Sequence, residues 1–499
     1  MSGLLVLPII LPFAAAATIL LLKSNAKGSA NIALGAAALH LIAGGMIFSQ
    51  VHRNGILAAQ MGNWPAPFGI TLVADHLSAV MVVIAGVINL GVVTYSRAEL
   101  DAALNNRGYY PLLQALVGGI CGAFLTGDLF NLYVWFEVML MGSFGLLVLG
   151  QDRRQLDGGV KYVVINIFAT LLLITGVALL YGLTGTLNMA DLHVKVQSIE
   201  DQGLLSAVAM IFMAAFGIKA ALFPLFFWLP AAYHTPPVSV SAIFAGLLTK
   251  VGVYALIRMF TLVFVFNTRH TYSILLIAAA LTMITGVLGA AAHNEFRRIL
   301  SFHIISQVGY MILGLALNTR LALAGAVFYL IHHIIVKANL FLVSGVVQRM
   351  GGSFELSRLG DIYRINKWVA VLFFIPAFSL GGFPPLSGFW AKMILIRASL
   401  ESRHYLVAGV AAAVGLLTVY SMTKIWGEVF WKPAPRADKE NGASSVVRPS
   451  GWMLAPIAGL ALLTVIIGLG ADYFFKVAVQ TAEELLHPEI YLKAVSGTK

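Results

Sequence analysis

The feature that most constrains this chain is a succession of apolar runs, beginning at residue 3 and recurring almost to the C-terminus. A helix needs about 20 such residues to cross a hydrocarbon core. Fourteen runs qualify, at 3–22, 31–50, 72–95, 110–126, 129–149, 161–184, 204–232, 239–264, 272–292, 300–317, 320–346, 368–399, 404–430 and 452–475. Only 11% of the 499 residues are charged and 59% are hydrophobic, whereas roughly a quarter of a soluble protein is charged. Backbone polar groups in lipid must be satisfied within the segment, which leaves helices as the spanning element. The expected fold is an all-α polytopic membrane protein with about 14 transmembrane helices.

The opening stretch MSGLLVLPIILPFAAAATILLL has no basic leader and no persuasive cleavage site, so it is expected to be a retained first helix. The single cysteine, Cys121, lies inside an apolar run, where it excludes an intrachain disulfide and reads as a small buried hydrophobe. The net charge of +11 would point to nucleic acid in a soluble protein, but here no nucleic-acid partner is expected, because the basic residues fall in loops.

Loops after odd-numbered spans hold seventeen basic residues, among them Lys23, Arg153, Arg154, Lys161, Arg297, Arg298, Arg436 and Lys439, and the other loops hold six. By the positive-inside rule both termini are predicted outside. Lys476, Lys493 and Lys499 lie in the tail, and Arg258 and Lys424 near span ends are expected to snorkel. Four basic residues remain in the membrane: Lys219, Lys250, Lys337 and Lys392.

A lysine at the centre of an inserting helix costs about 2.5–3.5 kcal/mol. Four of them with Glu137 amount to roughly 15 kcal/mol, comparable to a whole domain's stability of about 5–15 kcal/mol. Such residues are expected to work. Glu137 lies in the fifth span and Lys219 just before a break in the seventh, and a direct pair between them would let a moving carboxylate or proton switch Lys219 between holding and releasing a proton. His333 and Lys337 are four residues apart, hence on one helix face, while His332 points some 100° away. Imidazole passes protons through both nitrogens. Asp75 and His76, Asp128, and Ser306 with Gln307 are weaker candidates whose plainer reading is capping and interfacial hydrogen bonding.

The seventh and twelfth spans are overlong and interrupted, at Phe223-Pro224 and at Gly381-Gly382-Phe383-Pro384-Pro385. Proline inside a helix removes a donor and forces a break. Gly246-Leu247-Leu248-Thr249 recurs as Gly415-Leu416-Leu417-Thr418, which places Val419 opposite Lys250. These echoes predict two five-helix units of opposite orientation with functional residues near the midplane. The expected organisation is helices 1–3 in residues 1–109, a first unit in 110–265, a second in 270–430, and a loop, helix 14 and tail in 431–499. No dinucleotide fingerprint, P-loop, zinc set or iron–sulfur set is present, so no cofactor or metal site is expected.

DLFNLYVWFEVML at 128–140, GIKAALFPLFFWLPAAYHTPPVSVSAIFAGLLTKVGVY at 217–254, RRILSFHIISQVGY at 297–310, HIIVKANLFLVSG at 333–345 and GGFPPLSGFWAK at 381–392 resemble the antiporter-like subunits shared by respiratory complex I and the Mrp multi-subunit sodium/proton antiporters. The resemblance covers nearly the whole chain and is nearer the Mrp branch, since Leu140-Met141-Gly142 stands where complex I relatives often have Leu-Ile-Pro. It implies fourteen helices, broken helices seven and twelve, and a proton relay on Glu137, Lys219, Lys250, His333, Lys337 and Lys392. An upstream histidine of some relatives falls on Tyr329. The implied function is a membrane subunit of a sodium/proton antiporter in a prokaryotic plasma membrane, working beside A, B, C, E, F and G type subunits on H+ and Na+, with no enzymatic step of its own. The alternative is a proton-pumping subunit of complex I or of a membrane-bound hydrogenase. A site for Na+ cannot be placed on so positive an axis.

Overall fold

The computed structural model describes residues 2–22, 25–265, 268–435 and 448–497. The loop charges Lys23, Arg436 and Lys439 and the terminal Lys499 lie outside the described residues. The helices are α1 (Ser2–Leu21), α2 (Ala26–Asn54), α3 (His76–Glu99), α4 (Tyr109–Leu125), α5 (Leu129–Leu147) and α6 (Arg153–Thr184). They continue with α7a (Gln202–Ala220), α7b (Trp228–Ala232), α8 (Val238–Val263), α9 (Thr268–Ala292), α10 (Phe296–Leu317) and α11 (Arg320–Gly351). The last are α12a (Lys367–Gly381), α12b (Ser387–Glu401), α13 (Tyr405–Trp431), α14 (Gly451–Leu469), α15 (Ala471–Leu486) and α16 (Pro488–Ser496). Among the described residues, 12 helices are long and apolar enough to cross a membrane, and α4 and α12a are shorter apolar helices.

The bundle sorts its helices by what they touch. α8, α10 and α11 are enclosed by protein almost along their whole length, whereas α1, α6, α9 and α13 turn residues such as Leu20, Leu171, Ile277 and Leu416 outward. Apolar side chains on those outer faces are what lipid requires.

Both predicted breaks exist, and both close in the same way. At the end of α7a, Ala221 adopts a left-handed φ of 62°, the Ala221 amide donates to Ile218 O at 3.1 Å and the Leu222 amide to Gly217 O at 2.9 Å. At the end of α12a, Gly382 has φ 92°, and the amides of Gly382 and Phe383 donate to Ser379 O and Phe378 O, each at 3.0 Å. This is the Schellman closure, which satisfies carbonyls that a helix end would otherwise leave bare.

The chain departs from the sequence reading in several places. Leu57–Gln60 pairs antiparallel with Thr71–Ala74 as strands β1 and β2, in the register Leu57↔Ala74 to Gln60↔Thr71, a short hairpin added to the helical fold, and the third helix starts at His76, not at 72. α6 begins at Arg153, not at 161, which puts Lys161 on a helix, in an i,i+4 pair with Asp157. Arg297 is not a loop charge but a buried residue in the first turn of α10. The tail forms two helices: α15 packs on α11, and α16 lies on β1, where Gln60 Nε2 donates to Val495 O at 3.3 Å. The Lys424 ammonium donates to Ala291 O at 3.2 Å and His293 O at 2.9 Å, closing the end of α9.

Candidate functional site: a buried row of lysines and histidines

The row begins at the α7 break. Glu137, on α5, and Lys219, in the last turn of α7a, do not form the direct pair expected of them. Thr170, on α6, stands between: its hydroxyl donates to Glu137 Oε1 at 2.6 Å, and Lys219 Nζ donates to the same hydroxyl oxygen at 3.3 Å. Carboxylate and ammonium are thus joined by one hydroxyl that accepts on one side and donates on the other. Lys219 also lies 5.1 Å above the Phe136 ring. Beside it a small cavity of ≈ 20 Å³ is lined by Phe136, Tyr162, Asn166, Trp228 and Leu248, room for a water molecule. The break holds this geometry because the Trp228 indole returns to donate to Ile218 O at 3.0 Å.

Leu248 leads to α8, which is not a regular helix. Phe244–Leu248 forms a π turn, a widened turn that loosens the backbone ladder and recurs at functional sites. Lys250 follows it, fully enclosed, and its ammonium donates to Ala245 O inside that turn. Gly252 lets α8 approach the α7 break: a Cβ there would lie 2.6 Å from Ala220 N and 2.8 Å from Lys219 C.

Across the bundle, α11 carries His332, His333 and Lys337, all with no exposed surface. His333 lies within electrostatic reach of Lys250, Lys337 and His303. No described protein group hydrogen-bonds either ring nitrogen of His333 or of His303 on α10. Lys337 donates to Leu300 O at 3.0 Å. His332 Nδ1 is 2.8 Å from Ser387 Oγ, itself 3.1 Å from Ser379 Oγ across the α12 break. Tyr329 donates to Gln307 Oε1 and stacks on Tyr310, so it anchors side chains on α10 and α11. At the far end Lys392, on α12b, curls back to donate to Leu380 O at 2.8 Å and Gly381 O at 3.1 Å, and lies 5.3 Å above the Tyr310 ring.

Asp75 is not part of this row. It caps α3, accepting from the Ser78 amide at 2.9 Å, and its other oxygen lies 2.6 Å from Arg258 Nη2. Burial would push the Asp75 carboxyl up, but the Arg258 guanidinium and the Ser78 hydrogen bonds hold it below the usual carboxylate range. Arg258 therefore does not snorkel; it is 5% exposed and lies 5.3 Å over the Tyr491 ring of α16. Asp128 caps α5 through the Asn131 amide at 2.7 Å. His76 pairs with Glu484 of α15 at 2.7 Å. Ser306 donates to Met283 O at 3.1 Å. Among the described residues no group of three or more His, Cys, Asp or Glu is arranged to hold a metal ion.

Sequence reasoning missed Thr170 and His303. His303 carries the same signal as His333, a histidine inside an apolar run, and could have been found by it. Thr170 carries none, since threonines are unremarkable in apolar helices and only the meeting of α5, α6 and α7a gives this one a role.

Fold and site together define a polytopic membrane protein with a chain of ionisable side chains running through the middle of its bundle, from a break in one helix to a break in another. The family described as NADH:quinone oxidoreductase/Mrp antiporter, TM matches residues 126–418, and this chain belongs to it. It is 46% identical over 495 residues to the D-type Na(+)/H(+) antiporter subunit of Alkalihalophilus pseudofirmus, and 37% identical over 495 residues to that of Bacillus subtilis, with 99% of both chains covered in each case. A chain in the structure of the Mrp complex from Dietzia sp. DQ12-45-1b superposes with a TM-score of 0.92 at 31% identity, covering 100% of both chains. A chain of respiratory complex I from Thermus thermophilus superposes with a TM-score of 0.83 at 22% identity, covering 97% of this chain and 99% of that one, a likeness of fold alone.

Proposed function

We propose that this chain is the D-type membrane subunit of a multi-subunit sodium/proton antiporter in a prokaryotic plasma membrane, and that it conducts protons along Glu137, Lys219, Lys250, His333, Lys337 and Lys392. The observation that carries the reading is the bonding of the lysines. Among the described residues none of the four lies within ion-pair distance of a carboxylate; three donate to backbone carbonyls and Lys219 to a hydroxyl. An unpaired ammonium in a low-dielectric interior is expensive, whereas a group that takes up and hands on a proton carries that charge only in passing.

Glu137 sets the charge at one end, Thr170 relays it, and Lys219 answers to it. His303 joins His333 as a station, because bare imidazole nitrogens can take a proton on one side and give it up on the other. Waters fill the gaps. The units 110–265 and 270–430, flanked by 1–109 and 431–499, are inverted copies with their breaks at midplane, both termini lie outside, and the chain performs no catalysis itself. Sodium crosses in a partner subunit of the A, B, C, E, F and G types, since four lysines repel a cation.

The test uses the intact complex in vesicles. Lys219→Ala and Glu137→Gln should assemble normally and reduce sodium-dependent proton flux about a hundredfold, the effect of severing a charge-assisted link worth ~3 kcal/mol. Normal flux in either would sink the relay.

A further inference from the structure

Two carboxylates lie outside the proton row, the buried Asp75 capping the start of α3 and the half-buried Glu99 at its end, both directed at α8. At the basic end, Glu99, the last residue of α3, accepts from the backbone amides of Val238 and Ser239, the latter at 3.0 Å. These are the first amides of α8, which have no partner within the helix, and a negative charge there complements the helix dipole. Arg297 donates to Pro236 O at 2.7 Å just before that turn. At the opposite end, Asp75, the cap of α3, holds Arg258 of α8 at 2.6 Å. Residues 238 and 258 are separated by about 30 Å of helix, so α8 is tied to α3 across the thickness of the membrane.

What lies between the ties is what the proposed relay needs held still. The π turn and Lys250 sit near the middle. Gly252 rests on the backbone of Lys219 and Ala220, and a Cβ on Gly246 would stand 3.6 Å from Ile334 O and the Ala338 Cβ of α11. α8 is thus wedged between the helix that carries Lys219 and the helix that carries His333. Neither contact alone sets its height, because a helix packed through glycines can slide, and charge-assisted bonds at both ends remove that freedom.

We infer that Glu99 and Asp75 are positioning residues that fix the height of α8, and so keep Lys250 within proton-transfer distance of its neighbours. The inference rests on the relay reading above. Displacing a reacting group by about 1 Å can cost roughly a hundredfold in rate, so a partial release of α8 is expected to cost about tenfold.

The experiment uses the intact complex in vesicles, comparing Glu99→Gln, Asp75→Asn, Glu99→Asp and Lys250→Ala. Glu99→Gln and Asp75→Asn should lower the maximal antiport rate about tenfold while leaving the sodium concentration for half-maximal rate within about twofold of wild type. Glu99→Asp keeps the charge but shortens the tie by one methylene; it should assemble as wild type does and still lose about fivefold in maximal rate. A wild-type rate in Glu99→Asp, or in both charge-removing variants, overturns the inference. Loss of assembly in Glu99→Asp together with both charge-removing variants assigns the carboxylates to folding alone and overturns it as well. A wild-type rate in Lys250→Ala overturns the relay reading instead, so the two failures are distinguishable.

Discussion

The breaks in α7 and α12 close with the same Schellman geometry, yet they place their lysines on opposite sides of the gap. Lys219 precedes its break and reaches sideways to Thr170 and Glu137, while the indole of Trp228 donates to the carbonyl of Ile218. Lys392 follows its break and reaches back to Leu380 O and Gly381 O, and its tryptophan neighbour, Trp390, donates outward to Gly468 O of α14. At the first break the tryptophan adds a second donor to a carbonyl that the Ala221 amide already satisfies, and the lysine is left for chemistry. At the second, one ammonium has both tasks. A shared break motif therefore does not make the two sites equivalent; which side chain reaches the freed carbonyls decides what the lysine is available for.

The packing behind the breaks differs too, and there the largest effect is expected. A methyl on Gly252 would meet the backbone of Ala220 and Lys219, whereas one on Gly381 would meet the Val419 side chain at 2.9 Å. Backbone cannot rotate away, so Gly252→Ala should destabilise the protein by ~3 kcal/mol and Gly381→Ala by ~1 kcal/mol, read as loss of folded complex on heating. Equal losses would mean that α8 has more freedom at the α7 break than the contact implies.

Replacing the lysines sharpens the contrast. Lys392→Met leaves two carbonyls without that donor and should cost ~2 kcal/mol of stability, whereas Lys219→Met removes no carbonyl's donor, only the donor to the Thr170 hydroxyl, and should cost ~1 kcal/mol. Equal stability in the two, by the same heating measurement, would erase the proposed double duty of Lys392.

Thr170→Val removes the hydroxyl that joins Glu137 to Lys219 at nearly constant volume. Proton flux should fall about tenfold, the loss of one hydrogen bond to a charged group, and Thr170→Ser should recover most of it. Unchanged flux in Thr170→Val would show that Glu137 and Lys219 communicate without it.

The smallest effect concerns His234, just beyond α7b, which has no counterpart in the α12 break. Burial and the nearby charges of Arg298 and Arg297 push its imidazole down to about 4, against an ordinary value of about 6.5. Between those values the unfolded chain binds the proton and the folded one does not, so stability declines as pH falls from about 6.5 to about 4. His234→Gln should flatten thermal stability across that window. A slope identical to wild type would place the pH dependence elsewhere.

Much of the fold was legible in the residues because the membrane makes local composition decisive. Phe223-Pro224 and Gly381-Gly382-Phe383-Pro384-Pro385 announced their breaks, since a proline cannot continue a helix wherever it finds itself. Strand β2 was hidden at the start of an apolar run that reads equally well as a helix, β1 fell between two such runs, and the tail helices α15 and α16 were too polar to register as spans.

The sequence by itself determined that this chain crosses the membrane many times and that Glu137, Lys219, Lys250, Lys337 and Lys392 lie inside it, because the cost of burying a charge attaches to the residue and its depth, whatever its partners. The tertiary structure alone decided the partners. It put Thr170 between Glu137 and Lys219, took Asp75 out of the row and gave it to Arg258, set Glu99 on the first amides of α8, and made Lys392 a cap as well as a charge. Hydrogen bonds and ion pairs act over about 3 Å, and residues 11 to 183 positions apart are brought to that distance only by the tertiary fold.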